Sequence, residues 1–349
     1  MLYEQVSDLE LEIDDYELEQ RERETSSGFT RATTVVSLHG DGETGRGEDV
    51  TYDNDAHETL LAAAADFPVT GEYTLDSFSD QLSEIDFFLG NEPNQSIFRN
   101  YRQWAFESAA LDLALKQADT NLAERLGRPY ESVRFVVSTR LEEPPTGDRV
   151  LEWLDRDPEL EFKLDPTSAW TDDVVQRLAA TDAVQILDLK GQYHGTTVDQ
   201  PADPALYERV LEGFPGALIE DPALDDETRP LFEGHEPRVT WDYPIRSVET
   251  VEDLPWEPEW LNVKPSRFGS VRSLLETIEY CLEREIQLFG GGQFELDVGR
   301  EHLHAIASLF YPDAPNDVAP KAYNDPDPNG GLPSSPLSPP AEPRGFSWD

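Results

Sequence analysis

The sequence predicts an α/β protein, a TIM-like (β/α)7β barrel preceded by an N-terminal α+β unit. Three observations carry that prediction. From about residue 131, short apolar strands alternate with amphipathic helices at the spacing of βα units. Five polar residues, Lys163, Asp188, Glu220, Asp242 and Lys264, end successive strands at intervals of 22 to 32 residues. The first 130 residues lack this alternation and read as strands, a glycine turn and a long helix.

Residues 1–130 form the first unit. "LELEIDDYELE" and "RATTVVSLHG" are strand-like, and "GDGETGRGEDVTY" is a glycine-containing turn leading into another strand. "YRQWAFESAALDLALKQADTNLAERLG" has apolar residues three and four apart and predicts one long helix stopped by Gly127. Residues 131–322 carry the barrel strands "VRFVVST", "LEFKL", "VQILDLK", "GALIED", "RVTWD", "WLNVK" and "IQLFGGG". Between them lie helices such as "DDVVQRLAAT", "PALYERVLEGF" and "SVRSLLETIEYCLERE". Seven βα steps imply a parallel sheet, because each crossover covers one face of it. A short eighth strand near "DVAPKAY" is expected to complete closure. Residues 323–349 are too rich in proline for regular structure; they either dock through Phe346 and Trp348 or stay free.

Composition narrows the function. Against 27 Lys+Arg stand 72 Asp+Glu, a formal net charge of −45. Such a chain repels nucleic acid and anionic membranes, so neither is an expected partner. The acids are spread among apolar segments rather than blocked into a tail, the pattern of cytoplasmic proteins from salt-loving microbes. The opening residues have no apolar signal segment and no run is long enough to span a membrane, so a soluble cytoplasmic protein is expected. The single cysteine, Cys281, excludes an internal disulfide and reads as a small buried hydrophobe.

Lysine occurs only five times, at 116, 163, 190, 264 and 321. Three of the five lie on the barrel strands, where a group that can lose its proton does what arginine cannot. Asp188, Glu220 and Asp242, from consecutive strands at the catalytic end of a barrel, form an all-oxygen set suited to Mg²⁺, with Mn²⁺ as a substitute. Lys163 and Lys264 flank that set, and a metal beside them would depress their pKa values toward those of general bases.

With these residues in view, the chain resembles the enolase superfamily, in the branch of muconate-lactonizing enzyme and o-succinylbenzoate synthase. "TSSGFTRATTVVSLHGDGETGRGED" is similar to the capping-domain strands with their G-x-G-E turn, which makes residues 1–130 a capping domain. "AFESAALDLALKQADTNLAERLGRP" resembles the helix leading into the barrel, "LIEDP" the strand-four glutamate motif and "NVKPSRFGS" the strand-six lysine motif. "FGGGQFE" resembles the strand-seven segment, with Glu295 at the family's glutamate position. The resemblance implies Mg²⁺ on Asp188, Glu220 and Asp242, with Lys264 as acid/base on one substrate face and Lys163 on the other. It further implies abstraction of a proton α to the carboxylate of a small molecule, leading to elimination, cycloisomerisation or epimerisation. Relatives often assemble, so a homo-oligomer is allowed.

Two stretches depart from the family pattern. The second barrel strand usually reads Lys-x-Lys, whereas "EFKLDP" puts either Asp165 in the catalytic place or Glu161 in the first one. The spacing to the next strand favours Lys163 as the catalytic residue. After Asp188 the family commonly has Asn two residues on, where this chain has Lys190. Lys190 can pair with Asp188, bind a substrate carboxylate or phosphate, or compete with the metal. Tyr193 and His194, in the loop just beyond, are candidate substrate contacts. The capping loop near residues 20–28 is a further candidate for specificity. Two other functions fit the residues: a Schiff-base enzyme using Lys264, or a non-catalytic metal-binding protein.

Overall fold

The computed structural model describes all residues except 26–27, 63–66, 197, 326–330 and 349. Its N-terminal part is built from β1 (Glu10–Ile13), β2 (Asp15–Glu24), β3 (Thr30–Gly40), β4 (Glu43–Asp49), α1 (Asn54–Ala62), β5 (Gly71–Thr74), α2 (Leu75–Ser83), α3 (Phe98–Gln117) and α4 (Leu122–Leu126). β2, β3 and β4 make an antiparallel sheet, while β1 leaves it to pair with β5. The stretch "LELEIDDYELE" is therefore two strands. Leu11 and Ile13 are buried in one, whereas Tyr16 and Leu18 carry the inward face of the other. The alternation changes phase at Asp14 because the chain turns there and its amide bonds to the His39 carbonyl (2.7 Å).

The β3–β4 turn places Asp41 and Gly42 at φ of 48° and 74°, the two-residue turn that matches strand twist. Gly45 and Gly47 then lie flat against α3: a β-carbon on Gly47 would stand 2.0 Å from the Ala105 carbonyl oxygen. The glycines are there so that backbone can meet helix. α3 itself ends at Gln117, ten residues short of Gly127. Asp119 takes φ of 50°, and Asn121 starts α4 by accepting the Glu124 amide (3.0 Å). Gly127 is the left-handed stop of this second helix.

The barrel strands are β6 (Val137–Thr139), β7 (Phe162–Leu164), β8 (Val184–Asp188), β9 (Leu218–Glu220), β10 (Val239–Trp241), β11 (Trp260–Val263) and β12 (Gln287–Gly290). Each pairs in parallel with its sequence neighbour, giving a curled seven-stranded sheet. Its outer layer is α5 (Asp148–Arg156), α6 (Asp172–Ala179), α7 (Pro204–Gly213), α8 (Val248–Glu252), α9 (Pro265–Phe268), α10 (Val271–Glu283) and α11 (Gly299–Phe310). Between β9 and β10, two 3₁₀ turns at Arg229–Phe232 and Glu236–Arg238 replace the helix. No described helix is long and apolar enough to cross a membrane.

The expected eighth strand is absent from the described residues. Pro320 within "DVAPKAY" has no amide to donate, and Lys321–Asn324 coils into a 3₁₀ turn. Asn316 and Asp317 bridge the gap instead. The Asn316 carbonyl accepts the Val136 amide (2.8 Å), and the Asp317 amide donates to Gly290 (2.8 Å). The Asn316 side chain accepts the Gly290 amide (2.7 Å) and donates to the carbonyls of Arg134, Tyr311 and Ala314. One buried asparagine thus ties the first strand to the last.

Val136, Ile186, Leu218 and Phe289 plug the barrel floor, and the polar residues stand above them. On β8 and β9 the step from Ile186 to Asp188, and from Leu218 to Glu220, crosses from plug to polar layer on one strand face. The C-terminal segment docks. Leu337 exchanges two backbone hydrogen bonds with Val133, and Gly345 bridges Asn121. Phe346 is buried with its ring stacked on His302 at 4.1 Å, and Trp348 packs between Tyr130 and His304.

Candidate active site

Asp188 ends β8, Glu220 ends β9 and Asp242 follows β10, so three parallel strands deliver three carboxylates to one level. One oxygen from each lies within 4.8 Å of the others, and all three side chains are buried. Buried charges persist only where they are paired or bind a metal, and each of these has a cation. The Lys163 ammonium contacts Glu220 directly, with Asp188 at 3.4 Å and Asp317 at 3.3 Å. Lys190 contacts Asp188. Lys264 lies 2.9 Å from Asp242, with Arg267 at 3.3 Å from the same oxygen.

Electrostatics separate the three acids. Burial pushes the Asp188 and Asp242 carboxyls up, but Lys190 and Lys163 around the first, and Arg267 and Lys264 around the second, hold both well below the usual carboxylate range. At Glu220 burial, with Asp188 and Asp242 alongside, outweighs Lys163 and raises the carboxyl. A fourth acid, Asp221, sits at φ of 48° and accepts the amides of Asp242 and Tyr243, both at 2.9 Å. Burial and the neighbouring Asp242 push it up to about 7. The set fits a hard divalent cation such as Mg²⁺. It is all oxygen, and Asp242 Oδ1 has no hydrogen-bond partner.

With only the protein's own groups around them, Lys163 and Lys190 are held charged. Burial opposes their charge, but Glu220, Asp188 and Asp317 hold Lys163 well above its ordinary value, and Asp165 and Asp188 do the same for Lys190. Strand register also bears on the second barrel strand. Lys163 pairs with Ile186 and Leu164 with Leu187, where β7 ends. Asp165 follows the strand end, while the Lys163 ammonium reaches Glu220 and Asp188. Asp165 takes the Arg140 Nε at 3.1 Å and lies 3.4 Å from Lys190.

Tyr193 turns inward and donates its hydroxyl to Asp242 at 2.6 Å, so it holds a carboxylate. His194 is exposed and faces only Asp199, at 3.8 Å. Glu295 is buried apart from the three acids: it accepts the Gln293 amide (2.6 Å) and pairs with Arg300 at 3.1 Å. The glycine run before it makes room for the lysine, because a β-carbon on Gly291 would come within 2.7 Å of Lys264 Cε. Of the capping loop, residues 26–27 lie outside the described residues; Phe29 meets Phe294 edge-on at 5.6 Å. Glu48 joins the capping strands to the barrel by accepting the amides of Leu296, Asp297 and Gly299.

Sequence reasoning passed over Asn262, which donates to Glu220 at 3.1 Å, and Arg267, which bonds the Asp242 carbonyl at 3.0 Å and Tyr193 at 3.2 Å. Asn262 was findable, since it stands two residues before Lys264 on the same strand face. Arg267 was less so, because it lies on the short helix after the strand, where periodicity says little.

Residues 4–125 match the N-terminal domain, and residues 129–325 the C-terminal domain, of the family described as Domain of unknown function (DUF8230). The chain is 27% identical over 235 residues to o-succinylbenzoate synthase of Geobacillus kaustophilus. That match covers 64% of this chain and 60% of the relative, so the chain spans less than two thirds of the curated protein's length. It superposes on an enolase superfamily member from Listeria innocua with a TM-score of 0.66 at 20% identity, covering 90% of this chain and 84% of the other. With the muconate lactonizing enzyme of Pseudomonas putida the TM-score is 0.68 at 18% identity, covering 96% of each chain.

Proposed function

We propose that this chain, which belongs to the DUF8230 family, is a Mg²⁺-dependent lyase or isomerase of the enolase superfamily, in the branch of muconate-lactonizing enzyme and o-succinylbenzoate synthase. Its substrate is a small carboxylate, from which it removes the α-proton. The observation that carries this reading is the convergence of Asp188, Glu220 and Asp242 beside the ammonium of Lys264.

In this reading Asp188, Glu220 and Asp242 hold the divalent ion, Mg²⁺ or Mn²⁺. Bound there, the ion supplies positive charge to the substrate carboxylate as its α-proton leaves. Lys264 is the acid/base, taking the proton at Nζ and returning it. Gly291 leaves its side chain free to swing off Asp242. Lys163 is buried beneath, locked between Glu220, Asp188 and Asp317. We therefore assign it to charge balance and orientation of the ligands, in place of the second-base role its spacing suggested. Asn262, Tyr193 and Arg267 fix Glu220 and Asp242 by hydrogen bonds. With Lys163 locked among carboxylates and Lys190 paired with Asp188 and Asp165, Lys264 is the one lysine assigned as a base, which favours chemistry on one substrate face, elimination or cycloisomerisation over two-base epimerisation. The three carboxylates favour this mechanism over a Schiff base on Lys264. The net charge of −45 supports a protein adapted to a salt-rich cytoplasm.

The test is exchange of a substrate α-proton with D₂O, followed by proton NMR at molar KCl, using a set of carboxylic acids that carry an α-hydrogen. Exchange should require Mg²⁺ and disappear with EDTA or with Lys264→Ala. Exchange that persists through both treatments refutes the reading, and covalent trapping of Lys264 by borohydride would move it to the Schiff-base class.

A further inference from the structure

β7 and the strand beside it carry mirrored charge pairs. β7 carries Lys163, with Asp165 just past its end, and β8 ends at Asp188, with Lys190 two residues on. Lys190 takes φ of 55°, an uncommon value for a side chain of this size. Its backbone amide bonds Asp188 Oδ1 at 3.0 Å and its ammonium bends back onto Oδ2 of the same carboxylate. Both oxygens of a proposed metal ligand are thus taken by one residue. Beside it waits a second acceptor: Asp165 Oδ1, buried, 3.4 Å from the Lys190 ammonium and without a hydrogen-bond partner of its own. The Tyr193 ring, 5.3 Å from the ammonium, flanks the path.

We propose that Lys190 is a tethered cation that shares Asp188 with the divalent ion and is handed to Asp165 when the ion binds. The proposal rests on the reading of Asp188, Glu220 and Asp242 as metal ligands. A monovalent ammonium and a divalent ion cannot both sit against one carboxylate oxygen without strong repulsion in a buried site. The ammonium has only to cross from Asp188 to a carboxylate it already faces. The exchange keeps buried charge compensated in both states, which a site with asparagine at this position does not do. It also leaves a fixed ammonium at the rim of the metal site once the ion is in place, where it meets the negative charge of a bound carboxylate.

Calorimetric titration of the full chain with MgCl₂ at constant molar KCl tests this, using wild type, Lys190→Met, Asp165→Asn and the double variant, each checked for native circular dichroism. Lys190→Gln is the second choice should Lys190→Met not fold. Removing Lys190 should tighten Mg²⁺ binding tenfold or more. Asp165→Asn should weaken it about tenfold, because the displaced ammonium then has no acceptor. In the Lys190→Met background the same Asp165→Asn change should have almost no effect. Ordinary long-range electrostatics gives additive changes instead. An additive cycle, or unchanged or weaker binding in Lys190→Met, overturns the exchange while leaving the metal site standing. No Mg²⁺ binding by any of the four proteins overturns the metal site and the exchange together.

Discussion

Replacing Glu107 by glutamine should stabilise the protein at pH 8 and leave its stability unchanged near pH 4.5. Glu107 lies inside α3, is 1% exposed, and accepts from Ser79 of α2 and from the Val271 amide (3.3 Å) at the start of α10. Burial outweighs its hydrogen bonds and the charge of Arg272, and pushes its carboxyl from an ordinary value of 4.5 up to about 7. The folded state therefore holds this proton more tightly than the unfolded chain does. Below 4.5 the group is protonated in both states and costs nothing. Between 4.5 and 7 stability falls as pH rises, and above 7 the full penalty is present. At 1.36 kcal/mol per pH unit that penalty is about 3 kcal/mol. Glutamine keeps the shape, accepts from Val271 with its oxygen and donates to Ser79 with its amide. Melting temperatures of wild type and Glu107→Gln, measured by differential scanning calorimetry from pH 4.5 to 8.5 at fixed KCl, supply the comparison. The variant's advantage should grow from near zero to several degrees across that window, at roughly 2 °C per kcal/mol for a chain of this size. A difference that does not change with pH, or a variant less stable at pH 8, would refute the reasoning.

Asn316→Ala should destabilise the barrel by about 3 kcal/mol, because four backbone groups at the seam lose their partner in a dry site; the unfolding midpoint in guanidinium reports it. Gly47→Ala should cost about 3 kcal/mol or more, since its β-carbon meets the Ala105 carbonyl at 2.0 Å and neither backbone can retreat cheaply; loss of soluble folded protein or a lowered melting temperature is the readout. Phe346→Ala should cost about 3–5 kcal/mol by emptying the pocket over His302, and limited proteolysis should then cut the C-terminal segment. With a net charge of −45, the melting temperature should rise steadily with KCl as self-repulsion is screened; a flat response would remove the salt-adaptation reading.

The barrel strands were legible because they are short, apolar and evenly spaced, and the three carboxylates because each ends such a strand. Less visible features depend on register and on single side chains. The break between β1 and β2 is written in the sequence as a phase change from Leu11 and Ile13 to Tyr16 and Leu18, a signal that a search for strand-like composition overlooks. Spacing favoured Lys163 over Asp165, but it does not encode the irregular pairing at Phe162 and Lys163 that shifts the register by one residue. Asn316 carries no pattern at all: one residue does the joining expected of a whole strand, through side-chain bonds that periodicity does not encode. The docking of Phe346 and Trp348 likewise depends on a pocket assembled from distant parts of the chain, His302 and His304 on α11 and Tyr130 before the barrel.

The ties at residues 316, 337 and 345 have a consequence for how the protein is made. Phe135 and Asn316 close the seam, Leu337 pairs with Val133, and Gly345 with Asn121, so each partner near the middle of the chain leaves the ribosome well before the segment that completes it. The capping strands and α3 have local partners and can fold as they emerge. The first barrel strand has no such option; its free edge is exposed until the last forty residues arrive. A nascent chain arrested before residue 316 should therefore display an open sheet edge that chaperones recognise.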